Sequence, residues 1–126
     1  MTASTHTTAP EPSLWQLIDA AHMLADGGSG VRFEVQRADQ MTQAFVVQYD
    51  GQRFAYLNQC AHVAMELDWQ PGVFFDLDKR FVMCASHGAL YEPDTGQCVA
   101  GPCTGAQLTP VPLKHFEGHW YAARTI

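Results

Sequence analysis

The stretch Phe45-Val46-Val47-Gln48-Tyr49-Asp50-Gly51-Gln52-Arg53-Phe54-Ala55-Tyr56-Leu57 decides the fold class. Two apolar runs, Phe45 to Tyr49 and Arg53 to Leu57, flank Asp50-Gly51, whose glycine readily takes the positive φ that a tight hairpin turn needs. Upstream, Val31, Phe33 and Val35 alternate with Arg32, Glu34 and Gln36, the period of two of a strand with one buried face. Downstream, turn signals at Pro71-Gly72, Asp76 to Lys79, Pro93 to Gly96 and Glu117-Gly118 separate short apolar stretches at Val73 to Phe75, Phe81 to Met83 and Trp120 to Ala122. Many short strands at close spacing predict an all-β chain, an antiparallel sandwich or small barrel. The one helical signal is a short turn capped by Asp19, running through Ala20, Ala21, Met23 and Leu24 and ended by Gly27-Gly28-Ser29-Gly30. No internal repeat is visible.

With 126 residues the chain has the size of one compact domain. Residues 1–13 read as a flexible tail rich in Thr, Ala, Ser and Pro, and residues 14–126 as the domain. Hydrophobic residues at 47% and charged residues at 16% place it among globular proteins. Seven basic against thirteen acidic side chains give a net charge of -6, which argues against binding nucleic acid or anionic lipid and favours a basic partner. No apolar run reaches the roughly 18 residues of a membrane span, and the N-terminus lacks the pattern of a secretory signal. The expectation is a soluble, cytoplasmic protein.

The chemistry lies in Cys60-Ala61-His62 and Cys84-Ala85-Ser86-His87, with 21 residues between His62 and Cys84. Two thiolates and two imidazoles suit either zinc or an iron-sulfur centre, so ligand type alone does not decide. Zinc fingers normally pair Cys with Cys and His with His, whereas here each loop carries one of each. The mixed pairing suits a binuclear centre in which each loop gives its thiolate to one iron and its imidazole to the other.

These residues, together with Gly88-Ala89-Leu90-Tyr91, Asp94-Thr95-Gly96-Gln97-Cys98 and Gly101-Pro102, make the chain resemble the Rieske 2Fe-2S proteins, in particular the bacterial Rieske-type ferredoxins. The resemblance runs from Trp15 to Trp120. It implies an antiparallel β sandwich with a small inserted cluster-binding subdomain and one 2Fe-2S cluster. Cys60 and Cys84 would ligate one iron and His62 and His87 the other. Gly101-Pro102 would form a third loop covering the cluster. The interval between the ligand loops is a few residues longer than in the ferredoxins of aromatic oxygenases. The implied role is a monomeric one-electron carrier with no catalytic residue of its own, serving a ferredoxin reductase and a terminal oxygenase or other oxidoreductase. Two other readings stay open, a small redox subunit of a larger oxidoreductase of the nitrite reductase type and a structural zinc-binding interaction module.

Two ferric ions, two sulfides, two thiolates and two neutral imidazoles sum to about zero, so an added electron is accepted more easily than by an all-Cys centre. That places the class at roughly -150 to +300 mV. In the respiratory members a Ser hydroxyl two residues after the second His and a Tyr hydroxyl four after it donate to the cluster sulfurs. Here those positions are Ala89 and Tyr91. One donor is missing, and the expected potential lies in the lower part of the range. The respiratory disulfide between the ligand loops would join the positions of Met65 and Ser86, neither of which is Cys. Cys98 and Cys103 would close only a very small loop and are expected to stay as thiols. Glu66, Asp68, Asp76 and Asp78 read as an acidic face, solvated or available for docking.

Overall fold

Tyr49 pairs with Gln52 across Asp50 and Gly51, whose φ values of 53° and 75° make the tight turn expected of that dipeptide. The computed structural model describes residues 9–19, 24–61, 65–68, 70–84, 88–101 and 105–126. Its strands are β1 (Trp15–Leu17), β2 (Val31–Arg37), β3 (Gln40–Tyr49), β4 (Gln52–Leu57), β5 (Val82–Met83), β6 (Leu90–Tyr91), β7 (Cys98–Ala100), β8 (Leu113–Phe116) and β9 (His119–Ala123). They form three antiparallel sheets, ordered β1-β9-β8, β2-β3-β4 and β5-β6-β7. The all-β expectation is met, and no described residue lies in an α-helix. The expected helical turn lies largely outside the described residues, because these omit Ala20 to Met23.

The β3–β4 hairpin explains its own sequence. In β3, Ala44 and Val46 point into one apolar core while Phe45 and Val47 point into another. All four are fully buried, so the strand reads as a continuous apolar run rather than an alternation. In β4, Ala55 and Leu57 face the first core and Tyr56 the second. The hairpin is therefore a wall shared by two cores. The first packs it against Val111 and Ala122 at the β1-β9-β8 sheet.

The second core joins the wall to the segment inserted between β4 and β8, which carries β5, β6, β7 and both Cys/His motifs. Phe45 stacks on Phe74 with ring centroids 4.0 Å apart, and the Tyr56 hydroxyl donates to the Pro93 carbonyl at 2.6 Å. Burial holds the Tyr56 phenol well above its ordinary pKa, so it keeps the proton that this bond uses. Truncating a fully buried phenylalanine such as Phe45 to Ala costs about 3–5 kcal/mol, so the hairpin is a rigid base for the inserted segment. Among the described residues, no helix is long and apolar enough to cross a membrane.

Candidate metal centre

Cys60 and Cys84 occupy equivalent positions in two loops. Cys60 follows β4, is buried, and its N–H donates to the Met65 carbonyl at 2.8 Å. Cys84 follows β5, is fully buried, and its N–H donates to the Ala89 carbonyl at 2.9 Å. Each cysteine thus closes a loop onto the residue five positions ahead, and each loop holds its histidine. Gly88 tightens the second loop by donating from its N–H to the Cys84 carbonyl at 2.8 Å. The positions of His62 and His87 lie outside the described residues, as does Ser86.

Tyr91, on β6, joins the loops. Its hydroxyl lies 3.2 Å from the Cys60 sulfur and accepts the Ala61 N–H at 3.0 Å. With Cys60 as thiolate, the sulfur has no proton to give, so the phenol donates to it. Burial first, and then the Cys60 contact, push the Tyr91 phenol well above its usual pKa, which keeps that donor proton in place. Cys60, Cys84, Ala89, Tyr91 and Cys98 belong to one apolar core with Leu67 and Phe74. Two buried thiols outside any disulfide, one holding a phenol donor, are a donor set suited to a metal and wasteful as packing alone.

The third loop leaves β7 at Gly101, whose φ of 96° favours glycine. A Cβ there would stand 2.9 Å from the Ala89 Cα, so Gly101 itself packs directly against Ala89 at the end of the second ligand loop. The Pro102 half of the expected covering loop falls outside the described residues.

Two expectations are corrected. Cys98 is disulfide-bonded, not a thiol. Its N–H also donates to the Ala106 carbonyl at 2.9 Å, and Gln97 bridges Gln107. Backbone pairing already holds residues 97–98 beside 106–107, so little further ordering is needed for Cys98 to be bridged. Cys103 lies outside the described residues. The acidic face also dissolves in part. Asp68 is buried beside Arg32, Glu66 pairs with Arg32 at 3.0 Å, and the Asp76 carboxylate accepts the N–H groups of Arg80 and Phe81 within its own turn. Sequence reasoning missed Arg32 and Asn58, which meet Asp68 below the first ligand loop, and Gln43, which accepts from both. The one available signal was an Asn two residues before Cys60.

A family model for the Rieske 2Fe-2S domain matches residues 14–117. The chain belongs to the Rieske 2Fe-2S domain family. Its cofactor is a Rieske-type 2Fe-2S cluster, and the chemistry of such a centre is one-electron transfer. No curated protein sequence matches this Rieske chain. Among solved structures, it is similar to a chain in the complex of reduced oxygenase and oxidized ferredoxin of carbazole 1,9a-dioxygenase. That match has 24% identity and a TM-score of 0.65, and covers 88% of this chain and 94% of the other. The ferredoxin of carbazole 1,9a-dioxygenase from Nocardioides aromaticivorans IC177 matches at 18% identity and a TM-score of 0.64, over 86% of this chain and 96% of its own. The terminal oxygenase of carbazole 1,9a-dioxygenase from Novosphingobium sp. KA1 also matches, at 18% identity and a TM-score of 0.65. It covers 89% of this chain, which spans only 30% of that protein. At these identities the likeness is one of fold.

Proposed function

We propose that this Rieske chain is a one-electron carrier that takes electrons from a ferredoxin reductase and passes them to a terminal oxygenase or another oxidoreductase. Cys60 and Cys84 hold one iron, and His62 and His87 hold the other. The observation that carries the assignment is the equivalence of the two loops, each closed by its cysteine's N–H onto the residue five positions on, with the sulfur buried beneath. The bound cluster supplies a one-electron couple. The chain's own residues set its surroundings. The Tyr91 hydroxyl donates to the Cys60 sulfur and favours the more negative, reduced state, while Leu67, Phe74 and Ala89 keep water from the sulfurs. Gly101 packs against Ala89 at the end of the second ligand loop.

We take it to act as a separate cytoplasmic monomer that turns over no substrate itself; the likeness to ferredoxin chains, nearly all of whose length it covers, favours the carrier role. The match to about a third of an oxygenase keeps a second reading in view, a redox subunit of a larger oxidoreductase, and co-purification with a large partner would favour it.

The test is iron and acid-labile sulfide content of anaerobically purified protein, with EPR before and after dithionite. About two irons and two sulfides per chain, silent when oxidised and paramagnetic when reduced, are expected. Cys60→Ser and Cys84→Ser should each lose the signal. Zinc without sulfide would overturn the assignment and leave a structural metal module.

A further inference from the structure

The first ligand loop is pinned from below by a buried polar network that a simple packing role does not require. Asn58, fully buried, bridges the two ends of the loop. Its Nδ2 donates to Asp68 Oδ1 at 2.9 Å and to Gln43 Oε1 at 2.8 Å, while its Oδ1 accepts the Leu67 N–H at 2.8 Å. Asp68 is buried with its side chain fully enclosed, and its other oxygen accepts the Gly72 N–H at 3.0 Å. Arg32, reaching across from β2, places Nε 2.7 Å from Gln43 Oε1 and 3.6 Å from Asp68 Oδ2, and its fork also meets Glu66. The network thus ties Asn58 to Leu67 and Asp68 on either side of Cys60 and its N–H bond to the Met65 carbonyl.

We propose that Asn58 and Asp68, with Arg32 as counter-charge, are positioning residues that fix the first ligand loop and thereby the geometry and redox behaviour of the centre. The proposal rests on Cys60 being a cluster ligand. A buried carboxylate is costly unless it is paired and hydrogen-bonded, and here every lone-pair direction in use meets a donor. The Leu67 N–H meets Asn58, and the Asn58 amide, the Gly72 N–H and the Arg32 guanidinium meet Asp68, so the residues flanking the loop are held by four contacts. The Arg32 charge offsets that of the buried Asp68, while Glu66, its other partner, is exposed to solvent.

The test uses the holoprotein with Asn58→Asp, the exchange pair Asn58→Asp with Asp68→Asn, and Val111→Ala as a control in the opposite core. Asn58→Asp keeps the acceptor for Leu67 but sets two carboxylates against each other. The exchange returns a donor to that contact, keeps an acceptor for Gly72, and leaves the net charge as it was. We measure the reduction potential, the EPR spectrum of the reduced protein, iron release to a chelator, and melting.

In Asn58→Asp the potential shifts, the EPR lines broaden or move, and iron leaves roughly tenfold faster. The exchange pair recovers most of each change. Val111→Ala lowers melting and alters neither potential nor spectrum. Should Asn58→Asp lower melting while potential and spectrum match the wild type, the network is merely structural and the proposal falls. If Asn58→Asp does not fold, Arg32→Lys takes its place, because it keeps the charge and removes the fork. An unchanged spectrum and potential there also overturn the proposal. A wild type without iron and sulfide would overturn the preceding reading and this one together, whereas a loaded wild type with unresponsive variants overturns this one alone.

Discussion

Tyr91→Phe removes one oxygen from a fully buried ring and leaves its shape almost unchanged, so among the described residues its effects trace to two hydrogen bonds. The first is the phenol donor on the Cys60 sulfur at 3.2 Å. A hydrogen bond to a charged group contributes about 1.5–3 kcal/mol, and sulfur bound to a reduced centre is the better acceptor. If about half of the bond's energy distinguishes reduced from oxidised, the reduced state loses about 1 kcal/mol. With about 59 mV per tenfold change for one electron, the potential should fall by roughly 40 mV. The second bond is the Ala61 N–H, which loses the phenol as acceptor and costs a further ~1–3 kcal/mol of stability. Melting should therefore drop by several degrees. Protein-film voltammetry on preparations of equal iron content measures the first effect and thermal melting the second. An unchanged or higher potential at full iron content would refute the donor role. A lowered melt with no redox change would mean that the hydroxyl serves only to hold the Ala61 backbone.

Ala89→Ser places a hydroxyl at a buried position beside the second ligand loop and should raise the potential by a similar few tens of mV, about 40 mV by the same reasoning; a potential equal to or below the wild type in voltammetry would sink it. Gly101→Ala meets both a φ of 96° and the Ala89 backbone at 2.9 Å, so the holoprotein should lose at least about 2 kcal/mol, and a melt within a degree of wild type would contradict this packing. Asp26 is exposed, and its carboxyl is held below the usual range first by the Gly51 N–H and then by the Gln48 amide. A folded-state pKa below the unfolded one contributes stability above the unfolded value of about 4, and that contribution is lost as pH falls through the folded value. Asp26→Asn should therefore flatten the acid limb of the stability curve below about pH 4 and leave neutral pH little changed; an acid limb as steep as wild type in denaturant melts would count against the contact.

What could be read from the chain was local. Asp50-Gly51 sets the β3–β4 register through backbone conformations its own residues favour, and the alternation of Val31, Phe33 and Val35 appears as β2. The β2–β3 turn gave no such signal, because Ala38 takes a φ of 55° without a glycine or asparagine to announce it. Trp15–Leu17 is a strand only because β9 returns to pair Ala123 with Trp15, and three residues carry too little periodicity to show that in advance. The two-residue strands β5 and β6 are shorter still, so the supports of the second ligand loop were visible only through the motif itself. The acidic face misled for the same reason. Charge in a sequence has no direction, and Asp68 turns inward because Arg32, distant in the chain, lies across from it on β2.

The two polar groups nearest the first loop perform opposite tasks, and the apolar shell makes both necessary. In a low-dielectric site an added electron is costly unless donors point at it, and Tyr91 supplies one to the Cys60 sulfur. A buried carboxylate near the same loop would oppose the electron, and Asp68 is one. Arg32 and the donors from Asn58 and Gly72 offset it, so the loop gains the rigidity of an ionic network without leaving a bare negative charge beneath the site. Among the described residues no buried side-chain nitrogen or oxygen lacks a partner, which is the condition under which such a network rigidifies a site rather than weakens it. Removing Arg32 alone should therefore do more harm than exchanging Asn58 and Asp68, since it leaves the carboxylate in place and takes its counter-charge away.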